Sequence, residues 1–333
     1  MNKDFNKWWN NFKNILNNFD NQQFIFRGQA NKKWPLKTSF QREKEKNKEY
    51  ELVKAVKDFD RKHSYQFKDK KDIYEWLRYG QHYGLSTPYL DFSKLPYVSM
   101  FFACSSESDK DGNFFILNID KFLEEFVIYF LNLEKVKSII NKSENFYVKE
   151  YIDDIKIINN LKEKLKNNKS IIKAFIESIE ELEIGKKQRI KNEKHEIPKN
   201  IEISRLEKLT ALKKDLYKEL IKNGIVEDEI FFYPFIDKYN KRMVKQQGCF
   251  IYYNMKDSEK LEKFINDDKI QILNNISDTI KKDKILYEVI IPKQYKENIL
   301  NKLKKMEISN YTLLMDKEEV SKDVKLELEY NLK

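Results

Sequence analysis

Glycine is so scarce in this chain that each one marks a backbone requirement. There are seven in 333 residues, about 2%, against roughly 7% in an average protein. Such a chain keeps glycine where the backbone needs a positive φ or where two segments approach too closely for a side chain. Five of the seven stand beside distinctive polar or aromatic residues: Gly28 in FIFRGQ, Gly80 and Gly84 in YGQHYGLSTPYLDFS, Gly112 in KDGNFFIL and Gly248 in KQQGCFIYY. Gly185 and Gly224 lie in lysine-rich helical surroundings and read as helix stops.

Hydrophobic residues at 41% and aromatics at 14% are enough to fill a core, which excludes wholesale disorder. Charged residues at 35% put Lys, Asp and Glu over much of the surface. The chain has no run of 18 apolar residues, and its opening MNKDFNKWWNNFKNI has no apolar segment. Neither a membrane span nor a secretory signal is therefore expected. Two cysteines, Cys104 and Cys249, make neither a disulfide framework nor a zinc site unaided, so the expected compartment is the reducing cytoplasm. The net charge of +10 comes with abundant Lys, Asn, Ile, Tyr and Phe, the usage of an A- and T-rich genome. Lysines spread in that way favour a solvated surface over a dedicated polyanion-binding face.

Hydrophobic spacing predicts an entry helix over 5–19, a short strand FIFRG at 24–28, and helices at 47–62, 71–83 and 95–103. FFILNI (114–119) follows an Asp-Gly turn and reads as a strand. From 121 to 226 the chain turns to Lys/Glu/Ile/Leu stretches, with helical stripes through Ile172–Leu182 and Leu206–Leu220, the latter opened by a Ser204/Glu207 capping box. These predict an α-helical insertion with a linker around 186–200, its stripes being packing faces. Strand patterns return at 229–236, 248–253 and 285–292, then an amphipathic helix at 294–306 and a strand-like ISNYTLLM at 308–315. The expected architecture is an α+β core whose halves, 1–120 and 227–333, meet in one mixed sheet and are interrupted by the insertion 121–226.

Four places could carry chemistry. Gln81, His82, Thr87, Asp91 and Ser93 crowd a loop leading into the apolar helix YVSMFFA; they form either a positioned site or a hydrogen-bonded network fixing an awkward loop. His63 and His195 sit in charged, helix-like contexts and read as incidental. Arg27 follows Phe24–Phe26 and precedes Gly28, so its guanidinium should point into a cleft and needs an anion: an internal carboxylate such as Asp91, or a bound phosphate. Arg242 with Gln246 and Gln247 precedes Gly248; the amides suit sugar or base edges, and equally a capped turn. Glu288 lies in the apolar strand LYEVIIP, where alternation puts it with Leu286 and Ile290. It belongs either to the solvent face of an edge or to a buried function. P-loop, dinucleotide-fold, HExxH and CxxC motifs are missing from the sequence, against a nucleotide triphosphatase, a Rossmann dehydrogenase and a zinc hydrolase.

FIFRGQANKKWPLKTSFQR followed by LRYGQHYGLSTPYLDFSKLPYVSMFFAC resembles the FRG domain, named for its Phe-Arg-Gly start. The resemblance is carried by Phe26-Arg27-Gly28-Gln29, Trp34, Leu36, Arg42, Gln81-His82, Gly84, Thr87, Leu90-Asp91 and Phe102-Ala103. Where the family has Pro-Thr-Arg-Leu this chain has Ser86-Thr87-Pro88-Tyr89, so one potential anion ligand is missing, and Ser93 stands for a threonine. The order FIFRG, LDFSKLPYVSMFF, YEVIIP is also similar to arginine-type ADP-ribosyltransferases.

That second resemblance implies an ADP-ribosyltransferase-like core that uses NAD as substrate and needs no metal. Arg27, with Gly28 and Gln29, would hold an NAD phosphate, Asp91-Phe92-Ser93 would line the nicotinamide ribose, and Glu288 would grip the ribose hydroxyl as the sugar becomes cationic. Gln81, Thr87, Arg242 and Gln247 complete the expected binding set, with His82 and Asp91 beside Glu288 as catalytic candidates. Asp91 replaces the first serine of the family's pair, and Leu286 stands where an acid or glutamine precedes the glutamate. Transfer to nucleic acid, or NAD hydrolysis, is thereby favoured over transfer to arginine. The expectation is a toxin or antiphage-defence protein modifying a macromolecule, nucleic acid ahead of protein, with an antitoxin or regulatory partner at the insertion. A non-enzymatic nucleotide or nucleic-acid sensor is the second reading, and a metal-free RNase using His82 the third.

Overall fold

The computed structural model describes residues 3–19, 23–47, 49, 51–63, 77, 80–81, 83–132, 155–166, 174, 177–178, 229–233, 241–254, 270–273, 280–281 and 283–314. In chain order the elements are α1 (Lys3–Leu16), β1 (Phe24–Gln29), α2 (Ser39–Lys46), α3 (Leu52–His63), β2 (Tyr89–Ser93), α4 (Pro96–Cys104) and β3 (Gly112–Asn118). Then come α5 (Ile119–Asn132), α6 (Ile155–Lys166), β4 (Glu229–Tyr233), α7 (Lys241–Gln246), β5 (Gly248–Asn254) and β6 (Ile270–Ile272). The last are β7 (Leu286–Ile291), a 3-10 turn (Lys293–Tyr295), α8 (Lys296–Lys304) and α9 (Asn310–Leu314).

The chain forms two compact units. The first comprises Met1–Lys121, Pro234–Ile251 and Leu261–Lys333, the second Phe122–Tyr233 and Tyr252–Lys260. In the first, the strands lie in the order β5-β2-β1-β3-β7-β6. β1 pairs antiparallel with β2 and β3, β3 antiparallel with β7, and β6 parallel with β7. The fold is α+β with a mixed sheet, as the strand patterns on either side of the predicted insertion imply. In the second unit α6 packs on β4, and Lys162–Glu124 and Lys164–Glu177 ion pairs at 3.6 and 3.5 Å join neighbouring helical segments.

Alternation divides the central strands into two chemistries. One face carries Phe24, Phe26, Phe114, Ile116, Tyr287, Val289 and Ile291, which form a single core with Phe5, Trp9 and Phe12 of α1, Met100 and Phe101 of α4, and Ile299 and Leu303 of α8. Phe12 meets Phe114 edge-on at 5.1 Å, the geometry aromatic quadrupoles prefer. The other face carries Ile25, Arg27 and Gln29, then Asn113, Phe115 and Leu117, then Leu286, Glu288 and Ile290.

α4 lies against β1 in backbone contact. A Cβ on Gly28 would come within 1.8 Å of the Ser99 carbonyl oxygen and 2.6 Å of the Ala103 nitrogen. The helix opens with Pro96 at its first turn, and since Leu95 has no capping side chain, Ser93 Oγ accepts the Leu95 N–H at 2.9 Å. α2 opens with a reciprocal box in which Thr38 Oγ1 accepts from Gln41 N at 3.1 Å and Gln41 Oε1 from Thr38 N at 2.8 Å.

ISNYTLLM departs from the expectation, since 310–314 is the helix α9 instead of a strand. Its β-branched and aromatic composition is overridden by Ser309 and Thr312, whose side chains accept each other's backbone N–H at 3.4 and 2.9 Å and close a helical first turn. The predicted 294–306 helix is a 3-10 turn followed by α8 ending at Lys304. Of the predicted helix 71–83, Leu77, Gly80, Gln81 and Tyr83 are described; the first three are helical, while Tyr83 already belongs to a turn, its N–H bonded to the Gly80 carbonyl at 3.0 Å. The helical stripe 204–220, most of 172–182, the linker 186–200, Gly185, Gly224 and strand residues 234–236 lie outside the described residues.

Candidate functional site

Arg27 leaves the sheet on the face opposite the α1–α4–α8 core, among both apolar and polar neighbours, one residue before the glycine that lets α4 close over β1. Phe24, Ile25 and Phe26 before it are 9%, 0% and 1% exposed, so the strand is anchored while the guanidinium emerges beside it. That side chain is 16% exposed. Its Nη1 donates to the Asp91 backbone carbonyl at 2.6 Å, and the Asp91 carboxylate lies 4.0 Å away. Nε is buried without a hydrogen-bond partner. Burial lowers the Arg27 pKa, Asp91 opposes that shift, and the positive charge of Arg42 reinforces it. Arg42, on α2, is tethered by Nη1 to the Lys37 carbonyl at 2.6 Å.

These groups border a cavity of about 730 Å³, with Trp34, Gln81, Ser93 and Gln246 also in its wall. The volume falls in the range of small-molecule and cofactor sites, roughly 300–1,000 Å³. Gln29 lines it too, 5% exposed, with its Oε1 lacking a partner. The described lining residues hold two guanidiniums against one carboxylate, that of Asp91. The opening therefore favours an anion.

The polar loop is a chain of hydrogen bonds ending on that carboxylate. Thr87, fully buried, donates from Oγ1 to Gln81 Oε1, and Gln81 Nε2 donates to Asp91 Oδ1 at 2.5 Å. Ser39 Oγ accepts the Thr87 N–H at 2.9 Å, tying the loop to α2. Thr87 itself does not line the cavity. Ser93 does, with its hydroxyl donating to the Gln246 carbonyl at 2.6 Å. Gln246 in turn donates from Nε2 to the Leu313 carbonyl at 3.1 Å. Gln247, at φ 41°, is the turn residue that follows α7, and its carbonyl accepts the Lys94 N–H at 3.1 Å; its neighbour Gln246 is the one in the cavity wall. His82 and the Arg242 side chain lie outside the described residues.

Glu288 does not line the cavity. It is aligned across the sheet with Phe115, which is aligned with Arg27, so the acid and the arginine share a face two strand spacings apart, about 10 Å. Asn113 Nδ2 donates to Glu288 Oε2 at 2.9 Å and fixes its rotamer.

Three contributors carried no sequence signal as site residues. Trp34 and Arg42 are among the residues that carry the FRG resemblance, but nothing in the sequence marked them as lining a site. Lys296 is one lysine in a chain full of them, yet it is 2% exposed and donates to the carbonyls of Ala30, Ser106 and Glu107 at 2.6, 3.1 and 2.8 Å. Ala30 and Ser106 line the cavity, so this buried ammonium ties together two segments of its wall. Burial lowers its pKa, against the pull of Cys104 and nearby carboxylates.

Residues 22–112 match the family model of the FRG domain. The chain carries an FRG domain. It contributes β1, α2, α3, β2 and α4, and with them Arg27, Trp34, Arg42, Gln81 and Asp91, so the cavity is largely the FRG domain's own. Its last matched residue, Gly112, is the first of β3. No curated protein and no solved structure matches the chain. Among the described residues no cluster of three or more His, Cys, Asp or Glu could hold a metal ion, and no helix is long and apolar enough to cross a membrane.

Proposed function

We propose that this FRG-domain protein acts on NAD, as an ADP-ribosyltransferase-like toxin or defence enzyme whose acceptor is a macromolecule, nucleic acid ahead of protein. The observation that carries the reading is the alignment of Arg27 and Glu288 on one face of the sheet across Phe115. Arg27 would neutralise the diphosphate. The bond between nicotinamide and ribose breaks with both electrons leaving on nicotinamide, and the cationic sugar is stabilised by the Glu288 carboxylate. The acceptor nucleophile, or water, then attacks the sugar carbon and releases its proton to solvent. Asn113 supports this role by holding the carboxylate in one orientation.

Glu288→Gln should lower nicotinamide release at least about a hundredfold, the scale of removing one electrostatic stabiliser of the transition state, while NAD binding by equilibrium dialysis changes little. Full turnover in that variant would remove Glu288 from the chemistry. A second reading, a nucleotide sensor without catalysis, is favoured by one observation: Glu288 stands outside the Arg27 cavity. It expects NAD or nucleotide binding with no nicotinamide released under any condition.

A further inference from the structure

Arg27 and Arg42 reach the same cavity from different elements, a strand and a helix, and each is anchored in the same way. In both, Nη1 is bonded to a main-chain carbonyl at 2.6 Å. A guanidinium has five N–H donors, and these anchors use one of each. The Arg27 Nε is buried with nothing bonded to it. Two guanidiniums near one another repel, and the carboxylate at hand, Asp91, is already held by Gln81. An anion with oxygens spread over two centres would satisfy both arginines at once.

At the rim stands Trp34, 46% exposed, although an indole is large enough to be mostly covered in folded proteins. A half-exposed tryptophan in the wall of a cationic cavity is a stacking platform for a planar ring.

We infer that the FRG cavity is built for a nucleoside diphosphate group, its two phosphates shared between Arg27 and Arg42 and its base stacked on Trp34. This deepens the reading of the cleft as a nucleotide site and does not depend on any bond being broken.

Calorimetric titration of the full chain with ADP and with inorganic pyrophosphate tests it. Wild type should bind both. Trp34→Ala should weaken ADP about fivefold or more and leave pyrophosphate unchanged, while Trp34→Phe should restore most of the loss. Arg42→Gln should weaken both ligands together about tenfold, and Arg42→Lys, which keeps a donor for the Lys37 carbonyl, should weaken them in the same proportion to each other. Equal losses for ADP and pyrophosphate in Trp34→Ala, or none for either, would overturn the base-stacking assignment. Wild type that binds neither ligand would overturn the whole inference. ADP binding in the expected pattern without nicotinamide release from NAD would keep the inference and remove the catalytic proposal. Nicotinamide release that ignores Trp34→Ala and Arg42→Gln would do the reverse.

Discussion

Arg27 is bonded to the main chain of Asp91, at 2.6 Å, and not to its carboxylate, which stands 4.0 Å off and is 61% exposed. The hydrogen bond between the two residues thus does not depend on the charge of Asp91, although the carboxylate still favours the charged guanidinium through space.

Asp91→Asn should therefore leave the arginine in place. The Asn Oδ1 can still accept from Gln81, so the unfolding free energy should change by less than about 1 kcal/mol, the size of one hydrogen bond or an exposed ion pair. Removing the carboxylate should at the same time tighten pyrophosphate binding at low salt. A loss of several kcal/mol in a denaturant titration would show that the carboxylate, and not the carbonyl, holds Arg27.

Gly28 and Gly84 should respond oppositely in kind. Alanine at 28 would put a methyl group 1.8 Å from the Ser99 oxygen, where only a shift of α4 could make room; overpacking of this sort destabilises by about 1–3 kcal/mol or more. Alanine at 84 meets nothing within 4 Å, but φ there is +85°, so the expected loss is that of left-handed strain alone, about 1–2 kcal/mol. Only the first should also weaken ADP binding, because α4 forms one wall of the cavity. Chemical denaturation with parallel ligand titrations separates the two.

Burial holds Cys104 and Cys249 neutral, pushing both thiols up to about 12 from an ordinary value of 9.0. The unfolded chain releases those protons first, so the thiols' contribution to stability should be flat below about pH 9 and fall as pH rises beyond it, by up to about 1.4 kcal/mol per pH unit for each thiol. Cys104→Ala and Cys249→Ala should each flatten the slope of unfolding free energy between pH 8.5 and 10.5. An unchanged slope in the double variant would assign the alkaline loss to other groups.

Sequence was most informative where composition made a residue type rare. Because glycine is scarce, Gly28 stands out, and behind it lies the tightest backbone approach at any glycine among the described residues. The same reasoning failed for Lys296: lysine is so common here that a buried one looks like all the others. The Arg27 strand and its cleft were legible from three apolar residues running into Arg-Gly, whereas Asp91 was one of two anions the sequence offered, beside a bound phosphate. That the partner is a carbonyl was not, since sequence names side chains and says nothing of which main-chain oxygen faces them. Of the two readings of the polar loop the structure shows the network, Thr87–Gln81–Asp91, whose last two members also line the cavity. α9 was misread because its first-turn hydroxyls, Ser309 and Thr312, outweigh the strand preference of the residues they flank.

β1 is hydrogen-bonded on one side to β2, within the FRG match, and on the other to β3, whose first residue is the last one matched. A fragment cut at the limits of the recognisable family would therefore carry Arg27 on a strand with one edge bare. Bare edges recruit other chains. The segment that sequence comparison marks as a unit is thus not a unit of folding, and anyone trimming this protein to its recognisable part should expect self-association in place of a smaller working domain.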